Sequence, residues 1–358
     1  MRSTLAALSL LLLGCSSPSN RGEIVLGAAG AWSQAYGTMA RYGIELALEE
    51  LNSDKGLPTV RVVYQDDEGN GRKATEVAQW FVDSGRVVGV IGHLTSGAMK
   101  SAAKVYDGNI PAVATAASSP ELTGISSWAF RVIASDSVSG IDIAGQANAM
   151  QKKRVAILYE NNAYGRGLAD SFRRNFTGSV IAIDPITESA DQDFEPFLAW
   201  FRARQPDLIF VAGTDKSGIA FVRAVRQAKL DVTLMGGVGW RGLTSDTANA
   251  EGVWVGVPFS AEDDRAASKA FTAAFRAKYK LSPDAGAALA YDATRVLATA
   301  ARMVGNDPRR VRDWLAATGD GAGFSGATGM VRFGANGDPI DKTNVLARIQ
   351  HGALVVQR

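Results

Sequence analysis

The stretch between Gly89 and Thr123 constrains the fold more than any other part of the chain. It begins within a short Val-rich run, passes through a helical run and continues into an Ala-rich run. We predict a strand over residues 86–91, a helix over residues 98–106 and a second strand over residues 110–115. Consecutive strands joined by a crossover helix pair in parallel, and parallel sheets need helices on both faces. The predicted class is therefore α/β.

Both predicted strands of this stretch end at small hydroxyl residues. Ser96 lies between the first strand and its helix, and Ser118 follows the second strand. Ser118 and Glu121 have the spacing of a capping box, with Pro120 near the first helical position. Ligands of open parallel sheets bind beyond the carboxyl ends of strands, where helix N-termini suit a carboxylate. Ser96 and Ser118 are therefore candidate anion-binding residues; the alternative is that both only cap helices.

The alternation of strands and helices continues through most of the chain. A second alternating set begins near residue 154, so we expect two doubly wound units. Near the end of the chain, Asn336-Gly337 favours a tight turn, and we expect residues 330–333 and 343–350 to pair across it as a hairpin. The chain has 358 residues, of which 46% are hydrophobic and 21% charged, as in an ordinary globular protein. A net charge of +2 gives no reason to expect nucleic acid as a partner.

The first residues have the pattern of a bacterial export signal. Arg2 precedes an apolar run over residues 5–13, which is too short to span a bilayer. The run ends at Leu-Leu-Gly-Cys15, which resembles a lipobox and implies cleavage before Cys15 and lipid attachment to it. The alternative is a plain secretory signal with an incidental cysteine. Cys15 is the only cysteine, so no disulfide can form within the chain.

Several segments together resemble one known family. GHLTSG, IPAVATAASSPELT, QAYG, ENNAYGRGLADSF and GATGMVRFGANGDP are similar, in order and spacing, to the branched-chain amino-acid-binding proteins of ABC importers. These are type I periplasmic binding proteins. The resemblance implies two Rossmann-like lobes joined by a three-strand hinge, with crossings near Ser135, Phe259 and Gly334. The resemblance also implies a division of the chain into three parts. These are a signal and linker (residues 1–22), an N-terminal lobe (residues 23–135 plus 260–333) and a C-terminal lobe (residues 136–259 plus 334–358).

The resemblance also implies ligand contacts on the first lobe. Ser96 matches a serine whose hydroxyl and N–H hold the ligand carboxylate, and Ser118 matches a threonine that contacts both carboxylate and amine. The carbonyl of Ala116 matches one that accepts from the ammonium. Tyr36 matches a tyrosine that covers the ligand side chain.

On the second lobe, Tyr164 matches a tyrosine that closes over the ligand, and either Thr214 or Asp215 matches a further contact. Trp240 lies on a predicted cleft loop, as does Trp32. With the two tyrosines these tryptophans suit an apolar or aromatic ligand body. The alternative for the tryptophans is packing within their loops.

One position departs from the family pattern. Amino-acid-binding members carry an acidic residue where this chain has Val238, and that acid pairs with the ligand ammonium. A buried ammonium needs an anionic or hydrogen-bonding partner. Two explanations stay open: Asp215 supplies the charge from a neighbouring loop, or the ligand has no amine.

Other signals do not indicate a cofactor, metal or catalytic site. The GxGxxG pattern over residues 321–326 follows a predicted helix and precedes a hairpin, unlike a dinucleotide fingerprint. No P-loop occurs, and His93 and His351, the only histidines, are far apart. The acidic residues 66–68 suit a solvated loop, with a metal site as a minor alternative.

We therefore expect a solute-binding lipoprotein of an ABC importer that captures a small apolar amino acid or related carboxylate by lobe closure. Its expected partners are the small-molecule ligand, an ABC permease and the membrane through lipid on Cys15. Its expected location is the periplasm or cell exterior. The alternatives are a ligand-sensing regulatory lipoprotein with the same fold and an enzyme, which the lack of a catalytic constellation argues against.

Overall fold

The computed structural model describes residues 22–357. The predicted export signal and Cys15 lie outside these residues. Within the described part of the chain, no helix combines the length and the apolar character needed to cross a membrane.

The first sheet has five parallel strands in the order β2-β1-β3-β4-β5. Each of its strands except the last is followed by a helical segment that packs in the same lobe. The elements are β1 (Ile24–Gly30), α1 (Ala35–Leu51), β2 (Val60–Asp66), α2 (Gly71–Ser84), β3 (Val90–Ile91), α3 (Ser96–Tyr106), β4 (Ala112–Ala114), the 3₁₀ helix Pro120–Leu122 and β5 (Ala129–Arg131).

The second sheet continues the same alternation after the chain leaves the first. Its parallel part has the strand order β10-β9-β8-β6-β7. The elements are α4 (Asp136–Ala149), β6 (Arg154–Glu160), α5 (Ala163–Asn175), β7 (Ser179–Ile186), α6 (Glu195–Arg204), β8 (Leu208–Ala212), α7 (Asp215–Gln227), β9 (Thr233–Gly236), the 3₁₀ helix Val238–Ser245 and β10 (Trp254–Val257).

The chain then returns to the first sheet and covers its open face. Three helices follow: α8 (Ala266–Tyr279), α9 (Ala285–Val304) and α10 (Pro308–Ala317). They pack with α1 into one cluster on that face, whereas α2 and α3 form a second cluster on the other face. Strand β1 serves both clusters, because Leu26 faces the first and Val25 the second, as the two-residue period of a strand requires.

The last strands pair differently from the sequence prediction. β11 (Phe324–Gly326) and β12 (Gly329–Val331) form a small antiparallel sheet. β13 (Val345–Gln350) pairs antiparallel with β10 and with β14 (Ala353–Val356) at the edge of the second sheet. The predicted hairpin between residues 330–333 and 343–350 is therefore wrong. The Asn336-Gly337 turn does exist, but it lies in a segment that crosses from one sheet to the other.

The chain passes between the two sheets three times, over residues 132–135, 258–265 and 332–344. Ser135, Phe259 and Gly334 lie within these segments. We call the first sheet with its helices the first lobe and the second sheet with its helices the second lobe. The prediction of an α/β fold with two doubly wound lobes and three connections is confirmed.

A close approach of two helices, α1 and α9, allows a test of the packing of the first lobe. Gly43 of α1 lies against the backbone of α9, and a methyl group added there would clash with the carbonyl of Ala287. We expect Gly43→Ala to lower the free energy of unfolding by roughly 1–3 kcal/mol, because the helices must move apart. Chemical denaturation followed by circular dichroism measures this.

Gly145→Ala in α4 is the matched control. No atom lies near a methyl group added at Gly145, so alanine should stabilise that helix by up to about 1 kcal/mol. Equal effects of the two substitutions would contradict the close packing of α1 on α9.

Candidate ligand-binding site

The candidate residues of the first lobe lie where its strands end at their carboxyl side. Tyr36 follows β1 in the first turn of α1, Ser96 follows β3 as the first residue of α3, and Ala116 and Ser118 follow β4. Neighbouring parallel strands place these loops at one edge of the sheet. The strand order therefore brings together residues that are far apart in sequence.

The structure brings Ser96 and Ser118 together. The backbone N–H of Ser119 donates to Ser96 Oγ at 3.1 Å, which joins the two loops directly. Ser96 is 3% exposed and Ser118 1% exposed. Both hydroxyls are thus buried at the carboxyl ends of adjacent strands.

Neither serine caps a helix. Thr95 is the cap of α3, since its side chain accepts from the N–H of Ala98. Ser119 caps the 3₁₀ helix that begins at Pro120, by accepting from Glu121 N–H, so the predicted capping box is wrong. The explanation of Ser96 and Ser118 as helix caps is therefore excluded.

The hydrogen bonds of the two serines leave one hydroxyl able to accept from a ligand and the other able to donate to it. Ser118 Oγ donates to Asp136 Oδ2 at 2.9 Å, so its single hydrogen is used and its lone pairs remain. Ser96 Oγ accepts from Ser119, so its hydrogen remains free to donate. A carboxylate suits Ser96, whereas a donor such as an ammonium suits Ser118.

Asp136 is a site residue that the sequence interpretation missed. It is the first residue of α4 and 1% exposed, and its backbone N–H donates to the carbonyl of Ser118 at 2.8 Å. Burial raises the pKa of Asp136 to about 7, although the Ser118 hydroxyl and the Arg131 guanidinium favour the charged form. The sequence Ser135-Asp136-Ser137 indicated only a helix start.

Tyr164 and Thr214 extend from the second lobe at the ends of β6 and β8. The hydroxyl of Tyr164 accepts from the N–H of Gly239 at 3.1 Å, and burial raises its pKa. Thr214 donates to Glu160 Oε1 through its N–H at 2.9 Å and its hydroxyl at 2.7 Å. Its hydroxyl hydrogen is therefore used within the second lobe.

Glu160 organises this part of the second lobe. It ends β6 and is buried, and Ser217 and Asn162 also donate to its carboxylate, at 2.7 and 3.1 Å. Four hydrogen bonds satisfy the carboxylate, counting the two from Thr214. The sequence interpretation did not single out Glu160. The signal that could have indicated it is an acidic residue at the last position of a buried strand.

Asp215 lies beside the 3₁₀ helix Val238–Ser245. Its Oδ1 accepts from the N–H of Gly242 at 2.8 Å. Burial raises the pKa of Asp215 to about 6, against the opposing effect of the Arg241 guanidinium. The carboxylate is thus hydrogen-bonded to the loop and lies near a cation of the same loop.

The prediction that Trp240 lines the cleft is wrong. Trp240 is 0% exposed and packs in the core of the second lobe, where Gly218 and Gly236 leave room for the indole. Because the side chain of Trp240 occupies this room in the core, it does not face the first lobe. The next residue, Arg241, contacts the first lobe. Trp32 is also a packing residue: its Nε1 donates to the Gln65 carbonyl at 2.7 Å, and its ring meets Tyr64 edge-on.

Arg241 connects the two lobes. It is 8% exposed, and its Nε donates at 3.1 Å to Oδ2 of Asp284, the capping residue of α9. Its guanidinium carbon lies 5.9 Å from the centre of the Tyr36 ring. Burial raises the pKa of Tyr36 to about 12, with nearby carboxylates adding to the effect. Val238 of the same loop packs against the first-lobe core.

A buried hydrogen-bonded chain supports the loop that carries Ser96. Asp67 Oδ2 lies 2.5 Å from His93 Nδ1, and His93 Nε2 lies 3.0 Å from the Tyr106 hydroxyl. These residues tie the end of β2 and the end of β3 to α3. Within residues 22–357 no group of three or more His, Cys, Asp or Glu side chains is arranged to hold a metal ion.

The sequence of this chain matches a known family over almost its whole length. Residues 25–353 match the sequence profile of the family described as periplasmic binding protein. The chain belongs to the periplasmic binding protein family. The family resemblance of the sequence motifs is thereby confirmed.

Curated relatives of this family cover most of the chain. A leucine-, isoleucine-, valine-, threonine- and alanine-binding protein of Pseudomonas aeruginosa is 29% identical over 315 residues, 85% of this chain and 83% of the relative. A Leu/Ile/Val-binding protein of Citrobacter freundii is 31% identical over 288 residues, 75% of this chain and 77% of the relative.

A solved structure extends the similarity to the fold. It is the branched-chain amino acid transporter substrate binding protein LivJ from Streptococcus pneumoniae, in complex with isoleucine. The two structures have a TM-score of 0.86 at 27% identity, over 94% of this chain and 99% of that chain. The predicted type I periplasmic binding protein fold is confirmed.

The raised pKa of Asp136 predicts how the free energy of unfolding of the ligand-free protein depends on pH. A carboxyl whose pKa rises on folding makes the folded state hold its proton, so stability falls as pH rises from about 4 to about 7. Between about pH 5 and pH 8, the wild type should lose roughly 1–3 kcal/mol more unfolding free energy than Asp136→Asn.

Urea denaturation of both proteins at the two pH values measures this difference. Asparagine keeps the shape and an acceptor for Ser118 but has no charge to bury. Parallel pH profiles of the two proteins would contradict a carboxylate that is buried without adequate compensation.

Proposed function

We propose that this chain is the solute-binding component of an ABC importer and captures a small apolar amino acid or related carboxylate between its lobes. The observation that carries the proposal is the pair of buried hydroxyls, Ser96 and Ser118, on adjacent strand ends that face the second lobe. Membership of the periplasmic binding protein family and the names of the curated relatives support it.

Ser96 receives the ligand carboxylate. Its free hydroxyl hydrogen and its place in the first turn of α3 provide donors for an anion, and the helix dipole has the favourable sign. The buried chain from Asp67 through His93 to Tyr106 holds this loop in position. The carboxylate is therefore bound by neutral donors that are fixed before the ligand arrives.

The apolar body of the ligand lies between the lobes. Tyr36 of the first lobe and Tyr164 and Val238 of the second provide the covering surface. The ring of Tyr36 and the side chain of Val238 already pack on the first-lobe core. Trp240 is not part of this surface.

Lobe closure is the capture step. The lobes touch where Arg241 meets Asp284 and where Gly167 of α5 approaches Pro120. A ligand favours the closed arrangement only through contacts that are better there than in the open one. We assign the lobes to residues 23–135 plus 260–333 and 136–259 plus 334–358, which hinge at the three crossings.

The protein acts by binding and not by catalysis, after export to the periplasm or cell exterior. Lipid on Cys15 tethers it to the membrane, and an ABC permease receives the ligand from the closed form. Metabolic labelling with a radioactive fatty acid tests the anchor: Cys15→Ser should lose the label and leave the membrane fraction. Unchanged labelling of that variant would contradict the assignment.

The carboxylate assignment predicts the effect of removing one hydroxyl. Ser96→Ala should weaken binding of any carboxylate ligand by about 1–3 kcal/mol, because a buried anion loses a donor. Thermal shifts across amino acids, aromatic acids and short amides identify a ligand through its mass-action stabilisation, and calorimetry then measures its affinity.

Ser101→Ala is the matched control for this experiment. Ser101 lies on the same helix, and its hydroxyl donates to the carbonyl of Gly97 within α3. Its loss should leave affinity unchanged. Equal affinity of the wild type and Ser96→Ala for every ligand found would remove the proposed role of Ser96.

A further inference from the structure

We infer that the third crossing bends at a single residue, Thr343, because the chain is fixed to one lobe just before it and to the other lobe just after it. The inference rests on the lobe closure of the proposed function and names the residue at which that closure bends this crossing. It moves the bend away from Gly334, the position that the family resemblance implies.

A buried lysine fixes the crossing to the first lobe just before Thr343. The Nζ of Lys342 donates to the carbonyl of Thr328 at 2.7 Å and to Thr328 Oγ1 at 2.6 Å. Thr328 lies between β11 and β12 of the first lobe. Its N–H and its hydroxyl donate in turn to Oδ2 of Asp292 in α9, at 2.8 and 2.6 Å. Lys342 is therefore joined to α9 through Thr328.

The charges of this cluster oppose its release. Asp292 is fully buried, and its carboxylate also accepts from the N–H of Ala327 at 2.6 Å. Burial lowers the pKa of Lys342 to about 8, although the Asp292 carboxylate favours the charged form. The guanidinium of Arg265, in the second crossing, acts in the same direction as burial. Withdrawal of Lys342 would leave a buried carboxylate without its cation, which is costly.

Hydrogen bonds hold the middle of the third crossing on the first lobe as well. The carbonyl of Gly337 accepts from the N–H of Arg131 at 3.1 Å. Asp338 Oδ1 accepts from Nε of Arg131 at 2.7 Å. Residues 334–342 should therefore move with the first lobe, so the lobe boundary in this crossing moves to Thr343.

An asparagine fixes the chain to the second lobe just after Thr343. The N–H of Asn344 donates to Asp142 Oδ2 at 2.9 Å, and its Nδ2 donates to Ser139 Oγ at 2.5 Å. Both partners belong to α4, the first helix of the second lobe. The next residue, Val345, begins β13, which pairs with β10. The chain thus passes from one lobe to the other within a single residue.

Thr343 itself is not held by hydrogen bonds. It is exposed, and within residues 22–357 no hydrogen bond involves its backbone or its hydroxyl. It lines a cavity of about 440 Å³ that Phe259 and Ser260 of the second crossing also line. Two crossings therefore border one space in which the chain can move, and a hinge needs only a few residues that absorb the change in φ and ψ.

A pair of proline variants distinguishes the two positions of the bend. Thr343→Pro should restrict the motion of the lobes, because proline fixes φ at its own position and restricts the residue before it. Ala335→Pro is the matched control. Ala335 is exposed and is the second residue of a turn that the N–H of Gly337 closes on the carbonyl of Gly334 at 2.9 Å. Proline is favoured at that position of a turn, so this variant should leave the motion unchanged.

Pulsed electron spin resonance measures the distances between the lobes in the ligand-free, full-length protein. Spin labels are placed at Lys104→Cys in α3 and Gln227→Cys in α7, two exposed positions on different lobes, with Cys15 replaced by serine. Thr343→Pro should lose most of the width of the wild-type distance distribution. Ala335→Pro should retain that width.

Further variants keep the test decisive if Thr343→Pro does not fold. Thr343→Gly should widen the distribution by adding backbone freedom at the bend, whereas Ala335→Gly should not. Lys342→Met removes the attachment to Thr328 and should let the bend spread toward Gly334. Ala335→Pro should therefore narrow the distribution only when it is combined with Lys342→Met.

The outcomes separate the inference from the proposed function. If Ala335→Pro narrows the distribution while Lys342 is present, or if Thr343→Gly has no larger effect than Ala335→Gly, the inference is overturned and capture by lobe closure stands. The wild type is also measured with L-leucine or benzoate, whichever gives the larger thermal shift. One fixed distance between the lobes, the same with and without that ligand, contradicts lobe closure and the inference together.

Discussion

The hydrogen bond between Ser118 and Asp136 is the interaction on which the rest of the site depends. It joins the end of a first-lobe strand to the first helix of the second lobe, and it buries a carboxylate at their junction. A buried charge needs compensation, and the fold provides little of it. The junction of the two lobes is thus also the place where this carboxylate is buried.

The remaining features follow from parallel sheets whose carboxyl ends face one another. Short loops at these ends present Ser96 from one lobe and Tyr164 from the other, while the helices behind them form the cores. The hydroxyl hydrogen of Ser96, the proposed carboxylate donor, is free, whereas that of Ser118 is bonded to the buried carboxylate of Asp136.

The sequence was enough to predict candidate ligand-binding residues at the strand ends of the first lobe. It was not enough to predict all of the hydrogen-bond partners of these residues. Ser96 was predictable because it follows a buried strand and precedes a helix, which is a local pattern. Asp136 was not, because its partner Ser118 lies 18 residues away and only the sheet brings them together. Trp240 was wrongly predicted to line the cleft because the room that Gly218 and Gly236 leave for its indole in the second-lobe core arises only in the folded structure. The hairpin prediction failed for the same reason: a turn is local, whereas strand pairing is not.

The most direct measurement is a crystal structure with the amino acid that gives the largest thermal shift. The account predicts its carboxylate within about 3 Å of Ser96 Oγ, between the two lobes. A ligand bound outside the cleft, or one whose carboxylate lies far from both Ser96 and Ser118, would contradict it.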